Sequence, residues 1–232
     1  MTEKKLIQTE NLGKVYNSGM PDELSALHNV SIEIDRNRIT VLKGPSGSGK
    51  TSLLSLISCM SRPTAGRIFV EEKDVVKLPE RFLTNIRRAK FGFIFQQLHL
   101  IRNVSVLENI LLPLYPLSMT ASIMREKALA IMKKLGIEDK RNFKVKQLSG
   151  GEQQRVAIAR AMVNDPEIII ADEPTAHLDT KLASEFMEIL ESLLNEGKTI
   201  VIATHDLFVH EHLLVHKTIS MRDGCIEKVE TR

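Results

Sequence analysis

Three groups of residues in this chain have types and spacings that could do chemistry. The first is Gly44, Pro45, Ser46, Gly47, Ser48, Gly49, Lys50 and Thr51, a GxxxxGK[ST] run. Glycines at that spacing let backbone N–H groups face an anion, and a helix opening at the end of the run adds favourable electrostatics. Lys50 can reach the β- and γ-phosphates of a nucleotide, and Thr51 offers a hydroxyl to Mg²⁺. The second group is Asp172 and Glu173, which close the apolar run 167–171. At a strand end one carboxylate can hold a Mg²⁺ shell while its neighbour polarises an attacking water, a role worth ~10²–10⁴ in rate. Alone, an Asp-Glu pair reads as a helix cap or surface loop; after a phosphate-binding turn and a buried strand it reads as catalytic. The third group, Ser149, Gly150, Gly151 and Glu152, makes a second phosphate-facing turn at the start of another helix. One turn of each kind implies a site built from halves, and so a dimer.

Positioning these groups requires strands and helices in alternation. Ile39–Leu42 reads as a buried strand feeding the first turn, and Thr51–Ser58 as a helix with Leu53, Leu54, Leu56 and Ile57 apolar. The runs 167–171 and 199–203 suit central parallel strands covered on both faces. Between them, Lys181–Asn195 has helical spacing at Leu182, Phe186, Ile189, Leu190 and Leu193. The alternation predicts an α/β protein with a doubly wound sheet. Val30, Ile32 and Ile34 alternate with polar residues, and Arg67–Val70 is strand-like; both predict a small, half-exposed antiparallel sheet. Residues 98–162 read as nearly all helical. Ser105 with Glu108 forms a candidate capping box. Met124, Ala128, Ile131, Met132 and Leu135 share one helix face that Gly136 would end. This stretch reads as a helical lobe inserted into a nucleotide-binding core made of 1–97 and 163–232. Asp223 and Gly224 predict a late hairpin.

Composition narrows the function class. The 232 residues, 43% hydrophobic and 26% charged, suit one substantial soluble-type α/β domain. A net charge of +3 gives no case for nucleic-acid binding. Cys59 and Cys225 form no metal or disulfide pattern, so reduced thiols are expected. The opening residues 1–6 lack the apolar stretch of a signal peptide, and no run is long enough to span a bilayer. Work at a membrane would therefore need another chain. His212 and His216 have helical spacing beside His210, but no acidic partner supports a zinc site.

Leu148, Ser149, Gly150, Gly151, Glu152, Gln153, Gln154 and Arg155, followed by 156–161, resemble the signature sequence of ABC-type ATPases, a highly specific pattern. The resemblance covers essentially the whole chain, in the family's order and spacing. It implies a P-loop NTPase with a RecA-like core, an antiparallel β-subdomain and an inserted helical subdomain, binding ATP and Mg²⁺ and hydrolysing ATP. Tyr16 matches the family's adenine-stacking aromatic; such stacking is worth ~1–3 kcal/mol elsewhere. Gln96 matches the glutamine that touches Mg²⁺ and links core to lobe, Asp179 the loop that crosses the dimer seam, and His205 the switch histidine at the γ-phosphate. The resemblance further implies that Ser149, Gly150 and Gly151 cover a γ-phosphate held by the P-loop of a second copy, giving a homodimer closed by ATP. Lobe movement would drive a separate integral-membrane permease, with this chain peripheral on the cytoplasmic face of the inner membrane.

Within the family the chain is most similar to lipoprotein-releasing (LolD) and macrolide- and peptide-exporting (MacB) ATPases. The similarity is carried by Val15–Leu27, with its extra residues after Tyr16, by Gly92–Leu100 and Glu108–Leu114, and by Ala171–Thr175. It implies export or extraction of a lipoprotein, peptide or drug-like substrate. Cell-division ATPases (FtsE), the alternative, usually have a shorter segment after the tyrosine. Coiled coils, zinc-binding cysteines, a second ATPase unit and a C-terminal regulatory domain, which mark other branches, are not expected here. Val145 stands where relatives often have proline, and Ala176-His177 replaces the common Gly-Asn.

Overall fold

A computed structural model describes residues 5–176 and 178–232; the opening residues and His177 lie outside the described set. The chain runs through β1 (Lys5–Tyr16), β2 (Leu24–Val30), β3 (Glu33–Asp35), β4 (Ile39–Lys43), α1 (Lys50–Ile57), β5 (Ala65–Val70) and β6 (Lys73–Asp74). It continues with α2 (Glu80–Lys90), β7 (Phe91–Ile94), α3 (Val106–Leu111), α4 (Ala121–Lys134), α5 (Gly150–Met162) and β8 (Ile168–Asp172). The last elements are α6 (Thr180–Asn195), β9 (Thr199–Thr204), α7 (Leu207–His210), β10 (Lys217–Arg222) and β11 (Cys225–Thr231).

The main sheet has six strands in the order β11-β10-β4-β9-β8-β7, parallel except for the β10–β11 hairpin. Its central strands are apolar throughout because both faces are covered. Alternate side chains go to opposite cores. Ile39, Val41, Ile169, Ala171, Ile200 and Ile202 enter a cluster with Val156, Ile158 and Phe186. Leu42, Ile168, Ile170, Val201 and Ala203 enter a second with Leu53, Leu56 and Ile57 of α1. The period of two along a strand thus divides the molecule into two packed layers.

The second core is closed by an antiparallel sheet of five strands, β2-β1-β5-β6 with β3 also on β1. The expected alternation at Val30, Ile32 and Ile34 is split between β2 and β3. The Thr9 hydroxyl donates to the Val30 carbonyl at 3.0 Å and accepts the Ile32 N–H at 2.9 Å, so a side chain replaces a ladder rung there. In the helical stretch, Ser105 and Glu108 do form a capping box on α3. Gly136, at φ +66°, follows the end of α4. Val106, Ile110, Ala128, Met132 and Leu135 join the sheet's first cluster, so these helices share one continuous core with it. Asp223 and Gly224, both at positive φ, make the β10–β11 turn. Among the described residues no helix is long and apolar enough to cross a membrane.

Candidate functional site

The parallel register sets the site. Lys43 lies beside Thr204, Asp172 beside Ala203 and Ile94 beside Ala171. The segments that follow β4, β8, β9 and β7 therefore leave one edge of the sheet together, at its carboxyl end. The turn after β4 is tight. A Cβ at Gly44 would lie 2.2 Å from the Met221 carbonyl oxygen and 2.7 Å from Ser48 Oγ. Gly49, at φ +96°, is the N-cap of α1 and supplies no side-chain cap. The first N–H groups of the helix are thus left for an anion. Ser48 Oγ is buried with no partner among the described residues. Lys50 is buried, its ammonium donating to the carbonyls of Gly44 at 2.7 Å and Pro45 at 3.0 Å, and 3.7 Å from Glu173 Oε1.

Gly49, Lys50 and Glu173 line one cleft of about 300 Å³ with Ser46, Gly47, Ser48, Thr51, Gln96 and His205; Gly44, Pro45 and Asp172 lie beside it rather than on its lining. Burial pushes the Asp172 carboxyl above its ordinary range; a hydrogen bond with Thr51 opposes the shift, nearby Glu173 reinforces it and Lys50 opposes it. Its Oδ1 is buried without a partner among the described residues. A buried, unsatisfied carboxylate oxygen next to a threonine hydroxyl, with the Gln96 amide on the same cleft, is a set of hard oxygen donors suited to Mg²⁺. Glu173 has its backbone in the left-handed region, φ +44°. Its N–H donates to the Ala203 carbonyl at 2.8 Å. Its carboxylate meets His205, Nδ1 at 3.0 Å from Oε1 and the backbone N–H at 3.3 Å from Oε2. The arrangement can hold a triphosphate and a divalent ion, with a water beside the carboxylate that the imidazole meets.

The other predicted residues lie elsewhere. Ser149, Gly150, Gly151, Glu152 and Asp179 do not line this cleft. Ser149 caps α5, its hydroxyl accepting the Glu152 N–H at 3.3 Å while the Glu152 carboxylate accepts the Ser149 N–H at 2.8 Å. The Ser149 backbone hydrogen bond chiefly holds the Glu152 carboxyl below its ordinary range; burial opposes this, and the Ser149 hydroxyl and Lys140 reinforce it. Asp179 caps α6, accepting the Leu182 N–H at 2.8 Å. Tyr16 is at the rim. Its hydroxyl donates to Ser52 Oγ at 3.3 Å, and the Lys14 ammonium sits 4.8 Å from its ring centroid. His212 Nδ1 and His216 Nδ1 accept separate backbone N–H groups, from Leu214 and Ile39.

Sequence reasoning gave no role to the polar links between these loops. The Thr175 hydroxyl donates to Asp206 Oδ2 at 2.7 Å, joining the loop after Glu173 to the loop of His205. Gln154, buried on α5, donates to the Pro174 carbonyl at 3.0 Å. Each lies within or beside a recognised motif, but only contact reveals its partner.

The ABC transporter family profile matches residues 27–176. An uncharacterized ABC transporter ATP-binding protein of Thermotoga maritima is 39% identical over 99% of this chain and 97% of its own length. A macrolide export ATP-binding/permease protein, MacB, of Hyphomonas neptunium is 41% identical over 95% of this chain, which spans 34% of that longer protein. The dimeric structure of MJ0796, described as a bacterial ABC transporter cassette, superposes with a TM-score of 0.87 at 41% identity, covering 97% of this chain and 98% of that one. Its counterpart sequence comes from Methanocaldococcus jannaschii. This chain belongs to the ABC transporter family, as one of its ATP-binding ATPase subunits.

Proposed function

We propose that this chain hydrolyses ATP at two shared sites in a homodimer and so powers a separate membrane permease on the cytoplasmic side of the inner membrane. One observation carries the reading: the cleft holding Lys50, Glu173 and His205 contains none of the Ser149–Glu152 end. A nucleotide gripped there keeps one side free for the second copy's Ser149, Gly150 and Gly151, with Asp179 at the seam. The dimer described for MJ0796 supports this. Residues 98–162 form the signature-bearing lobe in this reading, and Tyr16 stacks on the adenine once Lys14 is displaced from its ring.

Thr51, Gln96 and Asp172 would hold Mg²⁺, which neutralises charge on the β- and γ-phosphate oxygens. Lys50 exchanges its two loop carbonyls for phosphate oxygens. Glu173 accepts a proton from the attacking water, and His205 holds that carboxylate in place and meets the γ-phosphate. The turn Gly44, Pro45, Ser46, Gly47, Ser48 and Gly49 cradles the phosphates through the backbone N–H groups of its residues other than Pro45, which shapes the turn. The relatives that carry their own permease, such as MacB, support export of a peptide, lipoprotein or drug-like cargo. In Glu173→Gln, steady-state phosphate release should fall at least ~10²-fold while a Mg·ATP-dependent dimer persists by size-exclusion chromatography. Retained hydrolysis would remove Glu173 from its role.

A further inference from the structure

Immediately after Gln96 the backbone does something costly. Leu98 and His99, neither of them glycine, lie consecutively in the left-handed region at φ +44° and +46°. L-residues hold that conformation only where the surroundings over-determine it. Local contacts supply part of the restraint. The Leu98 N–H donates to the Phe95 carbonyl at 2.9 Å, the His99 N–H to the Gln97 carbonyl, and the His99 ring meets Phe95 edge-on at 5.1 Å. The rest comes from far along the chain. Arg160, in the last turn of α5, donates from one guanidinium nitrogen to the His99 carbonyl at 2.6 Å and from the other to the Leu98 carbonyl. A guanidinium fork matches two neighbouring carbonyls in a way a single ammonium does not.

We propose that Arg160 is a positioning residue for hydrolysis: its fork holds the Leu98–His99 turn and so fixes Gln96 at the Mg²⁺ side of the cleft. The same helix begins at Ser149 and, through Gln154, bonds the Pro174 carbonyl next to Glu173. Helix α5 therefore grips both the glutamine loop and the loop of the catalytic carboxylate, and a partner nucleotide pressing on its N-terminus acts on both. The role of Arg160 in turnover rests on the proposed hydrolysis; the clamp itself does not.

The test is a double-mutant cycle with Arg160→Lys and Gln96→Ala in the full chain. If Arg160 acts through Gln96, Arg160→Lys lowers kcat about fivefold in the wild-type background and hardly at all beside Gln96→Ala. KM for ATP stays within about twofold, and the Mg²⁺ concentration for half-maximal rate rises. An equal loss in both backgrounds, or none, overturns the proposal. Amide hydrogen exchange needs no turnover: Arg160→Lys should speed exchange at Leu98 and His99 about tenfold while the sheet amides are unchanged. Unchanged exchange overturns the clamp. If faster exchange is seen in a chain that releases no phosphate even as wild type, the clamp stands and the hydrolysis reading alone falls. If neither Arg160→Lys nor Arg160→Gln folds, Arg160 holds the fold rather than the loop, and the proposal fails.

Discussion

Helices α1 and α5 both open on glycine-rich turns, yet their N-termini are finished in opposite ways. Gly49, before α1, has no side chain to offer, and its φ of +96° aims the chain so that the first amides are left uncapped. Ser149 and Glu152 cap α5 reciprocally, satisfying two of its orphan amides within the chain. Such a cap is worth about 1 kcal/mol, which α1 forgoes in order to keep its end open for a strong anion. The two glycines of α5 differ as well. A Cβ at Gly151 would meet Leu182 Cδ2 at 2.6 Å, so a side chain there would have to shift a leucine of α6. A Cβ at Gly150 would meet nothing within 4 Å, so nothing inside the chain requires a glycine there. The α1 end is built to bind; the α5 end is built to stand alone and be approached.

Placing a large charged side chain at the α5 end should break this comparison most sharply. Ser149→Arg is expected to abolish the Mg·ATP-dependent dimer expected of Glu173→Gln and to cut hydrolysis at least ~10²-fold. Nucleotide affinity of the monomer should stay within about twofold, because Ser149 is outside the cleft. Ser149→Ala, which removes the hydroxyl but adds neither bulk nor charge, should lower stability by about 1 kcal/mol and weaken the dimer far less than Ser149→Arg does. Dimerisation by Ser149→Arg as strong as that of the parent would show that the two ends never meet.

Asp172 sharpens the contrast from the other side, since the α1 end keeps an ionisable group waiting. Its pKa is raised in the folded chain, chiefly by burial. The folded state therefore binds its proton more tightly than the unfolded state, and stability falls as pH climbs from the ordinary carboxylate value of about 3.9 to the raised one. Above that window the ionised group is a standing cost. Asp172→Asn should raise the nucleotide-free stability at pH 7 by about 1 kcal/mol, the exposed side of the carboxyl being discounted for solvent. The gain should vanish below about pH 3.5, and the extra stability that Mg·ATP gives the parent should be lost. Chemical denaturation at the two pH values measures it; a destabilised variant at pH 7 would contradict the assignment.

How much of this was legible in the sequence follows the range of the interactions. The central strands Ile39–Lys43, Ile168–Asp172 and Thr199–Thr204 were legible to within a residue or two, because burial on both faces leaves an apolar run that polar residues bracket. The capping box at Ser105 and Glu108 was legible because it is local. The break at Ser31 and Ile32 was not, since it depends on the Thr9 hydroxyl from another strand. In the site, Lys50, Thr51 and Glu173 could be read from motif spacing and line one cleft, with the Asp172 carboxyl hydrogen-bonded to Thr51 beside it. The left-handed backbone at Glu173, Leu98 and His99 carried no glycine to announce it. Arg160, Gln154 and Thr175 act through carbonyls and carboxylates distant in sequence, which no spacing rule reaches.

The smallest expected effect isolates the charge at the α5 cap from its hydrogen bonds. Glutamine can still accept from the Ser149 amide, so Glu152→Gln removes the charge at the helix N-terminus and the Lys140 pair at 3.3 Å while leaving the reciprocal cap in place. The Glu152 carboxyl is held below its ordinary range, first by the Ser149 amide. A depressed folded pKa contributes stability that is present above the unfolded value of about 4.3 and is lost as pH falls through the folded one. Glu152→Gln should therefore cost about 0.5 kcal/mol at pH 7 and nothing near pH 2, with nucleotide affinity of the monomer unchanged. A variant as stable as the parent at pH 7 would leave the hydrogen bonds of the box, not its charge, as what completes this helix end.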